Sequence, residues 1–424
     1  LPTTQFPMET VAEIGLLKMD FLGLANLTIL GEAVEIIRQT QGIEIDPKRF
    51  PDGDEKTYAM LGNGETFGVF QLESAGMRRY IRELRPSSIA ELSAMVALYR
   101  PGPMQHIPTY CRAKHGLEPI RYPHPDLAEI LDETYGVIVY QDQVLQISCA
   151  VAGFTPGQAD RLRRAMSRKR SSDAMQALAA EFHAGAERMG VSHEAAKVAF
   201  DKMAAFAAFG FPKSHAVAFA LLAYESAWLR YHYPAAYYCS LFNARPMGFY
   251  SMEVLTQDAA RHGIATLPPS INASRAGAWP EGGDIRLGLQ QVKGLGGGWQ
   301  DIRQHPRGQG YITLPERIVA ERQANGPYRS LRDLLVRARL GKEQAEMLIR
   351  AGALEEFGLP RRELLWQLGL LTEAAVPARA AARENQLALP LPVEQDMAEL
   401  PTLTAWEELA WDHEKMGLSP GRHP

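Results

Sequence analysis

The chain has 424 residues, of which 46% are hydrophobic and 22% charged, with a net charge of −4. This length predicts roughly two to four domains, each able to bury its own core, and the composition is that of an ordinary soluble globular protein. The charge excludes a uniformly basic nucleic-acid binder but leaves room for local basic patches. No apolar run reaches the ~18 residues of a membrane span. The three cysteines, Cys111, Cys149 and Cys239, are widely spaced. They offer no metal-ligand spacing and suit a reducing cytosol. No signal peptide is present, and a first residue that is Leu rather than Met predicts a piece of a longer chain.

GLLKMDFLGL, residues 15–24, is apolar except for Lys18 and Asp20. As a strand it places both on one face. Charges in a core-like segment need a partner or an ion, so two readings stand: a local Lys–Asp pair, or a metal-binding carboxylate beside a phosphate-binding lysine. NLTILGEAVEIIRQT follows as a helix, then the polar turn PDGDEK. Asp52 and Asp54 in that turn lack an apolar strand to position them and are rejected as a carboxylate pair.

Residues 57–270 read as mostly helical, with one strand at GVIVY, 136–140. Two basic stretches stand out. Between Met77 and Tyr122 lie Arg78, Arg79, Arg82, Arg85, Arg100, Arg112, Lys114 and Arg121 against three glutamates. In ADRLRRAMSRKR, 159–170, a helix puts Arg161, Arg164 and Arg168 on one stripe and Leu162, Ala165 and Met166 on another, with acidic partners nearly absent. Such guanidiniums suit a polyphosphate or a nucleic-acid backbone, although a solvated basic face is the ordinary fate of a charge run. In FGFPKSHAVAFALLAYESAWLRYHYP, 209–234, an apolar helix follows Lys213, Ser214 and His215. Ser214 is its expected cap, and Lys213 would add charge to an anion-binding helix N-terminus.

From about residue 272 to 358 the chain turns to shorter, Gly-rich units. VKGLGGGWQDI, 292–302, has the Gly-x-Gly of a helix-hairpin-helix unit, where Lys293, Gly294 and Gly296 could approach a DNA phosphate. LIRAGALEEFG, 348–358, looks like a degenerate second copy. Beyond Leu371 an Ala-rich stretch is expected to be mobile. Within it NQLALPLP, 385–392, is kept extended by Pro390 and Pro392. It displays Gln386, Leu387, Leu389 and Leu391 either as anchors for a partner's groove or as plain linker. LTAWEELAWDHEKMGLSPGRHP ends the chain with a short helix.

Seven segments, GLLKMDFLGL, FGVFQLESAGM, ALYRPGPM, ETYGVIVYQDQVLQI, QADRLRRAM, FGFPKSHAVAFAL and VKGLG, occur in one order. Together they resemble the bacterial C-family replicative DNA polymerases, the alpha subunits of DNA polymerase III. The resemblance implies a mainly α chain with α/β parts. Its order would be the end of a polymerase-beta-like palm (1–46), helical fingers (47–270), tandem helix-hairpin-helix units in a clamp-binding region (271–370), a flexible tail with a clamp-binding peptide (371–400), and a lead-in to an OB-fold domain (401–424).

By the same resemblance Asp20 is a metal-site carboxylate of a two-Mg²⁺ centre, and Lys18 lies near the incoming triphosphate. Arg163 and Arg164 would neutralise that triphosphate, with Arg100, Lys213, Ser214 and His215 nearby. The implied partners are primer-template DNA, dNTP, a sliding clamp held by Gln386, Leu387, Leu389 and Leu391, and other replicase subunits. The family's other two metal carboxylates are expected upstream of residue 1, so this piece is not expected to polymerise alone. Two alternatives remain: a non-catalytic DNA- and clamp-binding module, and an error-prone lesion-bypass branch of the family, to which PMGFYS, 246–251, is similar.

Overall fold

The computed structural model describes residues 3–21, 23–167, 172–207, 210–244, 250–295, 312–371 and 399–420. Helices dominate, and the sequence starts and stops them by familiar means. Ser74, Ser88, Ser251 and Ser330 each cap a helix through the side-chain oxygen, and Thr313–Glu316 and Thr404–Glu407 form capping boxes. Gly42, Gly153 and Gly417 end helices in the left-handed conformation that glycine adopts without strain.

The helices run α1 (Met8–Glu13), α2 (Ala25–Gln41), α3 (Glu55–Gly62), α4 (Ala75–Leu84), α5 (Ile89–Leu98), α6 (Ile107–Lys114) and α7 (Ala128–Leu131). Then come α8 (Gln141–Ala152), α9 (Pro156–Ser167), α10 (Ser172–Arg188), α11 (His193–Ala207), α12 (Lys213–His232), α13 (Pro234–Asn243) and α14 (Met252–Arg261). A sheet follows, with β1 (Thr266–Leu267), β2 (Trp279–Glu281) and β3 (Asp284–Arg286), in the order β1-β3-β2. The last helices are α15 (Leu314–Asn325), α16 (Leu331–Arg337), α17 (Lys342–Arg350), α18 (361–371) and α19 (Ala405–Met416). None of the described helices is long and apolar enough to cross a membrane.

Three apolar cores organise these elements. One joins α3 to α6 around Ala216 to Ala227 of α12, and a second packs α7 to α11. The third runs from α2 through α13, α14 and the sheet to α19. Helix α12 belongs to the first and the third. Ala216, Ala220, Ala223 and Ala227, three or four residues apart, give it a face of small side chains, so that the buried helix α5 can lie close against it. The sheet is built on a Gly282–Gly283 hairpin with φ of 63° and 96°, and Pro280 sits on its edge strand β2.

Three expectations are corrected. Residues 136–140 do not make a sheet strand; their sole ladder pairing is a bridge from Tyr140 to Phe211. The amide hydrogens of Val139 and Tyr140 instead go to the side-chain oxygen of Gln143, at 2.8 and 3.0 Å, and those of Gly136 and Val137 go to the Leu131 and Thr134 carbonyls, which takes four donors away from any neighbouring strand. Residues 15–21 are not a strand either, and Leu17 and Phe21 are 83% and 87% exposed rather than core. Ser214 is not a helix cap. It lies inside α12, Pro212 holds the cap position, and Asp142 Oδ2 accepts the Lys213 N–H at 2.9 Å.

Near its C-terminal end α12 buries Arg230, 3% exposed. The guanidinium donates to Asp258 Oδ2 on α14 at 2.9 Å and to the Glu65 carbonyl at 2.5 Å, while Tyr238 donates to the same Asp258 oxygen at 2.5 Å. Removing one partner of such a pair strands a buried charge, at a cost of about 3–5 kcal/mol. Asp258→Ala should therefore lose that much stability by urea denaturation. Replacing Arg230 and Asp258 together by Met and Leu should recover most of it. A loss below about 1 kcal/mol in the single variant would show that the pair does not hold α12 to α14.

Candidate functional site

Four segments singled out in the sequence meet at one small joint. The Tyr140–Phe211 bridge, with Gln141 N–H donating to the Phe211 carbonyl at 3.0 Å, sets the start of α8 beside the start of α12. Asp142, in the first turn of α8, faces the first amide of α12. A carboxylate there is favoured by the dipole of each helix.

Helix α9 joins from one side. Arg163 donates to Gln141 Oε1 at 3.1 Å and, through Nε and Nη2, to Asp160 Oδ1 at 3.0 and 2.8 Å. Arg164 Nε meets the other Asp160 oxygen at 2.7 Å. One carboxylate thus bridges two guanidiniums, and the hydrogen bond from Arg163 holds its carboxyl below the ordinary value. The expected lack of acidic partners on this helix is corrected, because Asp160 stands three and four residues ahead of the two arginines. The arginines also differ. The Arg163 side chain is 22% exposed and ties α9 to α8, whereas that of Arg164 is 65% exposed and faces solvent. Arg161 is exposed, and Arg168 lies outside the described residues.

Arg100, just after α5, completes the joint. Its guanidinium lies 4.4 Å over the Phe211 ring and donates to the Ala97 carbonyl at 3.0 Å, and burial lowers its pKa. The His215 ring packs on Phe211 and Phe219, with centroids 5.2 and 4.3 Å apart. Ser214 is exposed beside it. The Lys213 ammonium is chelated by both Glu133 oxygens at 2.7 Å and borders two open cavities. One, of about 650 Å³, is lined by Asp142, Lys213, Ser214, Val217, Ala218 and Leu221. The joint therefore gathers Arg100, Arg163, Arg164, Lys213, Ser214 and His215, and adds four residues missed in the sequence: Glu133, Gln141, Asp142 and Asp160. QDQ directly after the apolar GVIVY was the available signal for Gln141 and Asp142.

The remaining site residues lie elsewhere. Lys18 and Asp20 form an exposed ion pair at 3.2 Å, with side chains 58% and 66% exposed. Lys293 donates its N–H to the Lys415 carbonyl at 2.8 Å and its ammonium to the Glu414 and His413 carbonyls at 3.1 and 3.4 Å, so it fastens the end of α19. Gly294 has φ +91°. In the second hairpin Gly352, at φ +74°, leaves no space for a Cβ against the Arg361 guanidinium, which pairs with Glu355 and Asp412. Gly296, Gln386, Leu387, Leu389 and Leu391 lie outside the described residues.

The two arginines of α9 should separate in stability. Arg163→Ala should cost about 1–2 kcal/mol, because it removes charged hydrogen bonds from a largely covered group. Arg164→Ala should stay within about 0.5 kcal/mol, as for an exposed ion pair. Urea unfolding of both variants at matched m-value checks this, and equal losses would contradict the tether.

Two family models match the chain. The bacterial DNA polymerase III alpha subunit finger domain matches residues 26–190, and a helix-hairpin-helix motif matches 263–305 and 312–364. Among curated relatives, the DNA polymerase III subunit alpha of Thermus aquaticus is 41% identical over all of this chain and 34% of its own length. That of Halalkalibacterium halodurans is 41% identical over all of this chain and 37% of its length. The error-prone DNA polymerase of Mycobacterium tuberculosis is 40% identical over 99% of this chain and 36% of its length. The chain spans about a third of the length of these relatives. With the arginine helix and the FPKSH helix start in one fold, and with both family models and these relatives matching, the chain belongs to the bacterial DNA polymerase III alpha-subunit family.

Proposed function

We propose that this chain supplies the triphosphate site and part of the DNA-holding surface of a DNA-directed DNA polymerase, which transfers a nucleotidyl group from dNTP to a primer 3′-hydroxyl. The observation that carries this is the convergence of Arg100, Arg163, Arg164 and Lys213 through the Tyr140–Phe211 bridge. At this joint four cations outnumber the three carboxylates Glu133, Asp142 and Asp160, and suit a polyanion that takes the place of their acidic partners. Arg164 is the exposed first contact. Lys213 would exchange Glu133 for phosphate, while Arg163 and Gln141 keep α9 in place. A base or sugar could rest against the Phe211–His215–Phe219 stack.

Magnesium is the cation this chemistry calls for, since two ions can activate the attacking hydroxyl and stabilise the leaving pyrophosphate. The described residues do not fit it by themselves. Asp20 faces only Lys18, and no group of three His, Cys, Asp or Glu side chains gathers among the described residues. Asp20 is proposed as one ligand of a site that needs further carboxylates, and the steps above do not depend on it. Division into palm end, fingers, hairpin region and tail at residues 46, 270, 370 and 400 belongs to the same proposal. Gly294 and Gly296 would bring backbone amides to DNA phosphates, next to Lys293, which is fastened to the end of α19. Replicase and error-prone relatives lie within three percentage points of each other in identity, at 41% and 38–40%, so the proposal covers both branches.

In the intact polymerase carrying this sequence, Arg164→Ala should raise the KM for dNTP or lower kcat by roughly tenfold or more, since a charged phosphate contact contributes about 1.5–3 kcal/mol. Primer-template affinity should change little. Steady-state kinetics with unchanged nucleotide parameters would remove Arg164 from the site.

The peptide Gln386 to Leu391 is proposed to bind a sliding clamp, since extended peptides carry their anchors with them. Fluorescence anisotropy of the labelled peptide should give a micromolar Kd, about 8 kcal/mol. Changing Gln386 and Leu389 to Ala should abolish binding. If both peptides bind alike, or neither binds, the segment is a linker.

A further inference from the structure

The basic run on α4 has no part in the joint, yet it is arranged as closely. Arg78 and Arg82, one helical turn apart, both lean on the loop 63–68. The Arg78 guanidinium lies 4.1 Å over the Phe67 ring. The Arg82 stem crosses Gly64, where an added Cβ would stand 2.9 Å from its Cγ and Cδ, and Gly64 takes φ +77°. Helix α14 brings a third cation, Arg261, whose guanidinium is 5.7 Å from the same Phe67 ring and whose side chain is 61% exposed.

The loop itself is held fast. Thr66 donates to the Leu72 carbonyl at 2.6 Å, Gly68 donates to Tyr250 at 3.1 Å and accepts from Tyr237 at 2.7 Å, and a Cβ on Gly68 would strike Leu241. The cations are thus presented on a rigid support, which limits the ordering cost of binding.

Their charge is poorly matched inside the protein. Among the described residues Arg78 and Arg82 make no ion pair, and Arg261 reaches only Asp258, at 3.4 Å, an acid already held by Arg230 at 2.9 Å. The nearby glutamates are occupied. Glu65 meets His262 at 3.2 Å and Glu83 meets Arg79 at 3.1 Å. Burial raises the Glu73 carboxyl toward its neutral form. Cations gathered round one ring repel, and an anion relieves that repulsion.

The patch also adjoins the candidate nucleotide site. Phe70, three residues beyond Phe67 and so at most about 11 Å away along the chain, packs on Phe219 at 5.3 Å, and Phe219 packs on His215. Phosphates spaced along a strand that leaves the site would pass over the loop.

We infer that Arg78, Arg82 and Arg261, converging on the Phe67 loop, form a second site that holds the phosphodiester backbone of a DNA strand beside the nucleotide joint. This rests on the proposed role in DNA synthesis and adds a DNA-binding surface that it does not require.

The test measures anisotropy of the 424-residue chain with labelled oligothymidylate of about 20 nucleotides, longer than the ~4–16 nucleotides of a typical single-strand site. Two variants are compared with wild type across a salt series: Arg82→Glu, and Arg78→Gln with Arg82→Gln and Arg261→Gln. Both should raise Kd, the triple change by tenfold or more. The slope of log K against log salt should fall by roughly 0.7 for each phosphate that the variant no longer neutralises. Arg82→Glu should stay folded by circular dichroism, since among the described residues the Arg82 head group makes no hydrogen bond or ion pair.

Unchanged affinity and slope in both variants, or a wild-type chain that does not bind the oligonucleotide, would overturn the inference. So would weaker binding at unchanged slope, which marks a packing effect. Displacement by inorganic tripolyphosphate as effective as by unlabelled oligonucleotide would make this a free-phosphate site and overturn the strand assignment. The two readings fail separately. If Arg164→Ala impairs nucleotide use while the patch variants bind DNA normally, only the second site falls. The opposite pattern removes the nucleotide joint and keeps the patch.

Discussion

The geometry of this chain depends most on a buried charge at the end of a long helix. Arg230 is fixed by Asp258 and by the Glu65 carbonyl, so the end of α12, the C-terminal half of α14 and the loop after α3 share one anchor. Helix α12 has 20 residues and is therefore about 30 Å long. Its other end carries Lys213 and the bridge to Tyr140. A rigid rod fixed by a desolvated ion pair at one end sets the position of the cationic joint at the other. The alanine face toward α5 allows the rod to run through the first core without a kink.

At the joint the cations do not stand bare. Asp160 holds two arginines and Glu133 holds Lys213. Under the proposed function the arrangement resolves a conflict, because a site built to attract a polyanion would otherwise repel itself in the folded state. The acids sit at the partly exposed edge, where an ion pair contributes little, and the proposed triphosphate would replace them without a large barrier. Arg163 is the exception, being more covered and bound to Gln141, and it serves as framework.

Much of the helical body was legible from period and capping chemistry, and so were the segments that meet at the joint. Spacing alone could not show that they meet, since Arg100, Arg163 and Lys213 are brought together by one two-residue bridge of low sequence signal. GVIVY read as a strand because β-branched residues fit strands, but Gln143 took the amide hydrogens a sheet would use. The EGGD hairpin at 281–284 was readable from its glycine pair and went unread. The apolar segment 15–21 lacks a described neighbour to bury it, so its core-like composition misled the burial expectation.

The fastening of α19 has a consequence for chain scission. Arg362 on α18 meets the Pro401 carbonyl at 3.0 Å and Glu407 at 2.6 Å, Arg361 pairs with Asp412 in a nearly buried contact, and Lys293 closes the far end of the helix. Residues 371 and 399 therefore flank an interval whose two borders are docked on the same body. A single proteolytic cut within that interval would yield two polypeptides on a denaturing gel and one particle in solution. Loss of mass in solution would report release of the α19 clasp, not the cut itself.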